Sequence, residues 1–177
     1  NLAGALDNTA MGHYALSSIT SGDKNVGLGS NAGLSITTGA ENIVIGYLTG
    51  DTMTGTGNTV LIGTSAGQAI NSTGADGTVA IGHQALTALT SGTNNVAIGF
   101  KASKAMTTAD NCTVIGYRAF ESANGDEDEN TIIGTQAGRD IDNDGADENV
   151  FIGYSTGLGG AGALKQSVGI GAYALDS

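Results

Sequence analysis

Hydrophobic positions along the chain fall in short clusters that return every 17 to 19 residues. They do not follow the 3.6-residue spacing of an amphipathic helix, and a glycine interrupts each cluster. The recurring phrase is Asn-Val-x-Ile-Gly-x-x-Ala, clearest in Asn95-Val96-Ala97-Ile98-Gly99-Phe100-Lys101-Ala102. Its glycine recurs ten times, at Gly12, Gly29, Gly46, Gly63, Gly82, Gly99, Gly116, Gly134, Gly153 and Gly171. The residue before the glycine is Met11, Leu28 or an isoleucine in every copy. Two positions earlier stand Thr9, Val26, Ile43, Val60, Val79, Val96, Thr113, Thr131, Val150 and Val168. Residues two apart on a strand share a face, so the two columns form one stripe, which reads as the core of the chain.

Seven residues after the glycine a second apolar column runs through Ile19, Ile36, Met53, Ile70, Leu89, Met106, Ala123 and Ile141. Each repeat therefore predicts a strand, a tight turn at the glycine, a second short strand and a polar turn. Clusters such as Ser91-Gly92-Thr93-Asn94 suit that last turn, because such residues tolerate positive φ and hydrogen-bond their own backbone. The asparagines at positions 8, 25, 42, 95, 130 and 149 predict a stacked amide ladder. A period this short and this regular is the signature of a solenoid, in which each coil buries its apolar face only against its neighbours. The expected fold is an all-β parallel β-solenoid of about ten coils, a rod of roughly 45–50 Å at about 4.8 Å per coil. Residues 1–177 form one repeat domain, expected to be a piece of a longer fibre protein.

The position between the Val and Ile columns reads Ala10, Gly27, Val44, Leu61, Ala80, Ala97, Val114, Ile132, Phe151 and Gly169. Opposite the presumed core, it should face solvent and be polar, yet it is small or apolar throughout. An apolar stripe outside a rod marks an interface. Ala10, Val44, Leu61, Ala80, Ala97, Val114, Ile132 and Phe151 are thus the expected contacts of a homotrimer closed about the rod axis.

Composition narrows the class. Thirty glycines, no proline and 13% charged residues are unusual for a compact enzyme, while 40% hydrophobic residues argue against disorder. A formal charge of −11 disfavours nucleic acid as a partner. One cysteine, Cys112, excludes an intrachain disulfide framework. No apolar run is long enough to span a bilayer as a helix, so direct membrane insertion of this segment is not expected.

The repeat, with its small-polar turn, resembles the head repeat of trimeric autotransporter adhesins, the YadA-like heads, and similar arrays in phage tail-fibre proteins. The likeness spans the whole chain. It implies a left-handed parallel β-roll, three chains side by side, and attachment at a bacterial cell or virion surface, hence an extracellular location. The coils of 17 to 19 residues are longer than the short head repeat of the best-known adhesins. Neck motif, coiled-coil heptads and anchor strands are not seen in the chain.

Several motifs invite chemistry. Gly63-Thr64-Ser65-Ala66-Gly67 and Gly153-Tyr154-Ser155-Thr156-Gly157 match a nucleophile elbow, but the serine sits in a variable repeat column. Gly157-Leu158-Gly159-Gly160-Ala161-Gly162 matches a dinucleotide fingerprint without room for the helix it needs. His13 and His83 lie four coils apart, about 19 Å, and share no metal within one chain. Asp140, Asp142, Asp144 and Asp147 alternate around Gly145 as candidate Ca²⁺ ligands, and ten of the seventeen acidic residues lie between Glu121 and Glu148. No other cofactor is expected. Tyr47, Phe100, Tyr117 and Tyr154 form an aromatic ridge suited either to sugar faces or to an inter-chain groove. Threonine pairs such as Thr37-Thr38 and Thr107-Thr108 read as turn stabilisers more than as an ice-matching row.

No residue set argues for catalysis. The expected function is a structural and adhesive fibre domain whose partners are itself and a cell-surface glycan or protein receptor. The alternatives are a purely structural spacer, a polysaccharide depolymerase built on the acidic turns, and an ice-binding solenoid.

Overall fold

The structure is a computed structural model that describes residues 4–71, 73–125, 127–142, 145–158 and 164–176. It is an all-β parallel solenoid of about nine turns. Each coil contributes one three-residue strand: β1 (Thr9–Met11), β2 (Val26–Leu28), β3 (Ile43–Ile45), β4 (Val60–Ile62), β5 (Val79–Ile81), β6 (Val96–Ile98), β7 (Thr113–Ile115), β8 (Thr131–Ile133), β9 (Val150–Ile152) and β10 (Val168–Ile170). The strands form a single parallel sheet in chain order, and like positions pair, Val79 with Val96 and Ile81 with Ile98. The only helical turn among the described residues is a 3₁₀ turn at Thr73–Ala75. No helix among them is long and apolar enough to cross a membrane.

The repeat glycine is fixed by stacking. Gly99 has φ +140°, and a Cβ there would lie 2.3 Å from the Gly116 carbonyl oxygen in the next coil. No side chain fits that approach or that conformation.

Among the described residues the second strand expected after the glycine is absent. That segment is a run of turns, because two residues in each coil take the left-handed conformation. In the coil of β6 these are Lys101 and Ser103, with φ 56° and 47°; in the coil of β7 they are Arg118 and Phe120, with φ 53° and 51°. Left-handed residues cannot lie in a strand. The hydrogen-bond ladder still runs through the turns. Arg118 donates its backbone N–H to the Phe100 carbonyl at 2.8 Å, and Ser103 donates to the Ala119 carbonyl at 3.0 Å. The column seven residues after the glycine does reach the core: Ile36, Met53, Ile70, Leu89, Met106 and Ala123 are fully buried.

The strand faces are the reverse of the sequence expectation. The residue between Val and Ile points into the chain's own core: Val44, Leu61, Ala80, Val114, Ile132 and Phe151 are fully buried and Ala97 is 1% exposed. Only Ala10, on the terminal strand β1, is exposed. These residues are covered by their own coil and are not a surface for another chain. Their small size reflects a narrow interior. A Cβ on Gly27 would lie 2.6 Å from Cγ of Leu16, across the coil. Opposite the large strand residues Leu61 and Phe151 the wall is glycine: a Cβ on Gly67 would lie 3.0 Å from Leu61, and one on Gly157 3.0 Å from Phe151. Where the strand residue is Ala80, the wall carries buried Leu86. The two columns exchange volume to keep a close-packed core.

The asparagine ladder forms as the sequence predicts. Asn42 donates from Nδ2 to Asn25 Oδ1 at 2.9 Å and to the Thr56 carbonyl at 2.8 Å, and its Oδ1 accepts from the Thr59 hydroxyl at 2.7 Å. Asn25, Asn42, Asn95, Asn130 and Asn149 are all buried. Burial of these amides is tolerated because their hydrogen-bonding groups are paired between coils.

Candidate interaction surfaces

With the middle residue inside, the flanking Val and Ile columns stand on the outer face of the sheet. Of its twenty positions only Thr9, Thr113 and Thr131 are polar, and none is charged. Ile43 is 39% and Ile115 36% exposed, and the terminal strands rise to 66% at Val168 and 70% at Met11. The remaining outward positions are half-buried by their neighbours along the stack. Nine steps of about 4.8 Å by two side chains give a continuous apolar strip of roughly 400 Å², the size of functional patches on soluble proteins. Parallel sheets elsewhere have both faces covered. Here the chain covers one.

The aromatic ridge borders this strip, one residue beyond each glycine. Tyr47 is 53%, Phe100 40%, Tyr117 48% and Tyr154 48% exposed. Stacking brings some of them together. His83 lies on Phe100 at 5.2 Å and 10°, and Phe100 on Tyr117 at 5.4 Å and 12°. Tyr154 meets Tyr173 edge-on at 5.4 Å. Both faces of Phe100 are therefore occupied by rings, and the stack turns its edges outward. Sugars use ring faces, so the central stack suits packing against apolar side chains better than sugar stacking. The other histidine, His13, packs against Tyr14 at 3.9 Å.

The acidic turns do structural work. Asp110, Asp128 and Asp147 occupy one column, and each carboxylate accepts a backbone N–H from the preceding coil. Thr93 donates to Asp110 at 2.5 Å, Asp110 to Asp128 at 2.7 Å, and Asp128 to Asp147 at 3.2 Å. Fully buried Glu127 accepts from the N–H groups of Gly125 at 3.0 Å and Asn124 at 3.3 Å. Of the candidate Ca²⁺ ligands, Asp147 also meets Lys165 at 2.9 Å, and Asp140 is held by Arg139 at 2.6 and 2.9 Å. Asp142 is exposed, and Asp144 lies outside the described residues. Among the described residues no three His, Cys, Asp or Glu side chains gather as metal ligands do.

Ser65 and Ser155, the serines of the elbow-like motifs, lie in turns at φ 56° and 50°, and among the described residues no α-helix follows either. Gly159, Gly160, Ala161 and Gly162 of the dinucleotide-like motif lie outside the described residues. The threonine hydroxyls are engaged: Thr20, Thr37, Thr90 and Thr107 each donate to a carbonyl of the next coil at 2.8 to 3.1 Å. Cys112 takes the ladder position of an asparagine. It donates its thiol to the Glu127 carbonyl at 3.0 Å, and burial pushes its pKa up to about 12.

One site escaped the sequence reading. Lys104, Arg118, Glu121, Arg139 and Asp140 line an open groove of about 580 Å³ across the coils of β6, β7 and β8. Lys104, Glu121 and Arg139 share one column, five residues after successive repeat glycines, and Lys101 and Arg118 share another, two after. Aligning charges by repeat column is the signal that finds it.

No family model, curated protein or solved structure matches the chain.

Proposed function

We propose that this solenoid is an attachment domain of an extracellular fibre, assembled as a homotrimer through its Val/Ile face. The repeat likeness to YadA-like heads and phage tail-fibre arrays supports this reading and the left-handed sense of the coil. The carrying observation is the outer sheet face, uncharged at all twenty positions and uncovered in the single chain. Burying such a strip contributes about 25 cal/mol per Å², of order 10 kcal/mol per chain before association costs. The edge-out aromatic stack beside it then fills the groove between neighbouring chains. The partners are two further copies and a cell-surface glycan or protein, at a bacterial or virion surface. The chain performs no catalysis in this reading.

The test is binding of the isolated chain to the cells that the fibre attaches to. Saturable binding supports the reading. Absence of binding in a chain that still assembles favours a structural spacer, which the unbroken strand register along all ten strands also suits.

A further inference from the structure

The groove across the coils of β6 to β8 is the one place where this acidic molecule collects positive charge. The chain has six Lys and Arg against 17 acidic residues, and four of the six cations are Lys101, Lys104, Arg118 and Arg139. Three of these line the groove with only Glu121 and Asp140 as acids. Glu121 sits between Lys104 and Arg139 in its column and is engaged from the other. Arg118 Nε donates to it, and Lys101 Nζ lies 3.9 Å away. Asp140 takes Nε and Nη2 of Arg139 at 2.9 and 2.6 Å. Both acids thus hold arginines in place, and the guanidinium beside Asp140 keeps that carboxyl below its usual range. Among the described residues Arg139 Nη1 has no hydrogen-bond partner and Lys104 meets no carboxylate. Guanidinium groups fixed in advance lose little side-chain freedom on meeting an anion and offer paired N–H donors to it.

We propose that this groove binds an acidic polysaccharide, with Lys104, Arg118 and Arg139 receiving its carboxylate or sulfate groups. The proposal rests on the attachment reading above, whose ligand it names. Lys104 and Arg139 stand two coils apart in their column, about 10 Å, and Arg118 lies on the coil between them, so a sugar chain lying along the axis meets more than one cation. Neutral sugars find hydrogen-bond donors here but no charge pairing. Three copies in an assembly raise avidity further.

The test titrates the assembled protein with polygalacturonate, with dextran sulfate and with neutral dextran at low and high salt. The double variant Lys104→Ala/Arg139→Gln is measured beside it, after its melting temperature is shown to match the parent. Binding to either acidic chain but not to neutral dextran, weakened at least tenfold by the double variant and by high salt, supports the groove. The two acidic arms tell carboxylate from sulfate preference. No binding to either acidic chain, or equal binding by parent and variant, overturns the proposal. Cell attachment measured in parallel separates the two claims: if the parent attaches but binds neither acidic chain, the groove falls and the attachment reading stands. If the parent itself does not attach, the attachment reading falls.

Discussion

At the scale of single residues the coil is held by positions that admit one side chain or none. Gly99→Ala places a methyl group 2.3 Å from a carbonyl in the next coil at φ +140°. The expected cost is about 2–4 kcal/mol, a fall in melting temperature of roughly 5–15 °C for a chain this size. Thermal unfolding by circular dichroism measures it; an unchanged midpoint would mean the glycine column is not packed as described. Cys112 offers a second check. With its pKa near 12, the folded thiol is protonated and buried, so a thiol reagent at pH 8 labels it only on unfolding. The thiol's ordinary value is 9.0, and its contribution to stability is complete below that. It is lost as pH rises from about 9 toward about 12, where the unfolded chain ionises and the folded one does not.

At the scale of the element the asparagine ladder ties successive strands together. Asn42→Ala removes two donated and two accepted bonds in a buried setting. A loss of about 2–4 kcal/mol is expected by denaturant titration. The acidic turns tie the next column in the same way, Asp to backbone N–H. Millimolar EDTA is therefore expected to leave the melting temperature unchanged, and a fall of several degrees would restore a Ca²⁺ site at these turns. Strand positions and register were legible in the sequence, because Val, Ile and Gly recur in fixed columns. The facing of the strands was not. Val96, Ala97 and Ile98 are all apolar, so the alternation that normally chooses a face is missing. Nor was the missing second strand legible. Lys101, Arg118 and Gln136 take left-handed conformations without being glycine, held there by hydrogen bonds between coils rather than by local preference.

At the scale of the whole molecule function lies in what stacking brings together. Lys104, Glu121 and Arg139 are far apart in sequence and meet only because their coils are neighbours, which hides the groove from any local motif. The same stacking aligns the Val and Ile columns into the strip proposed as the trimer contact. Its inversion relative to the core yields a paired prediction. Ala97→Asp puts a charge into the chain's own interior and should unfold it, with a cost above about 3 kcal/mol. Ile98→Asp puts one on the outer face and should leave a folded single chain, seen by circular dichroism and light scattering together. The opposite pairing would return the interface to the middle column. Sedimentation equilibrium of the native chain tests the central claim most directly. It should give three times the 17.4 kDa chain mass. A single species at 17.4 kDa across micromolar concentrations would contradict the assembly, and with it the role assigned to the Val/Ile face.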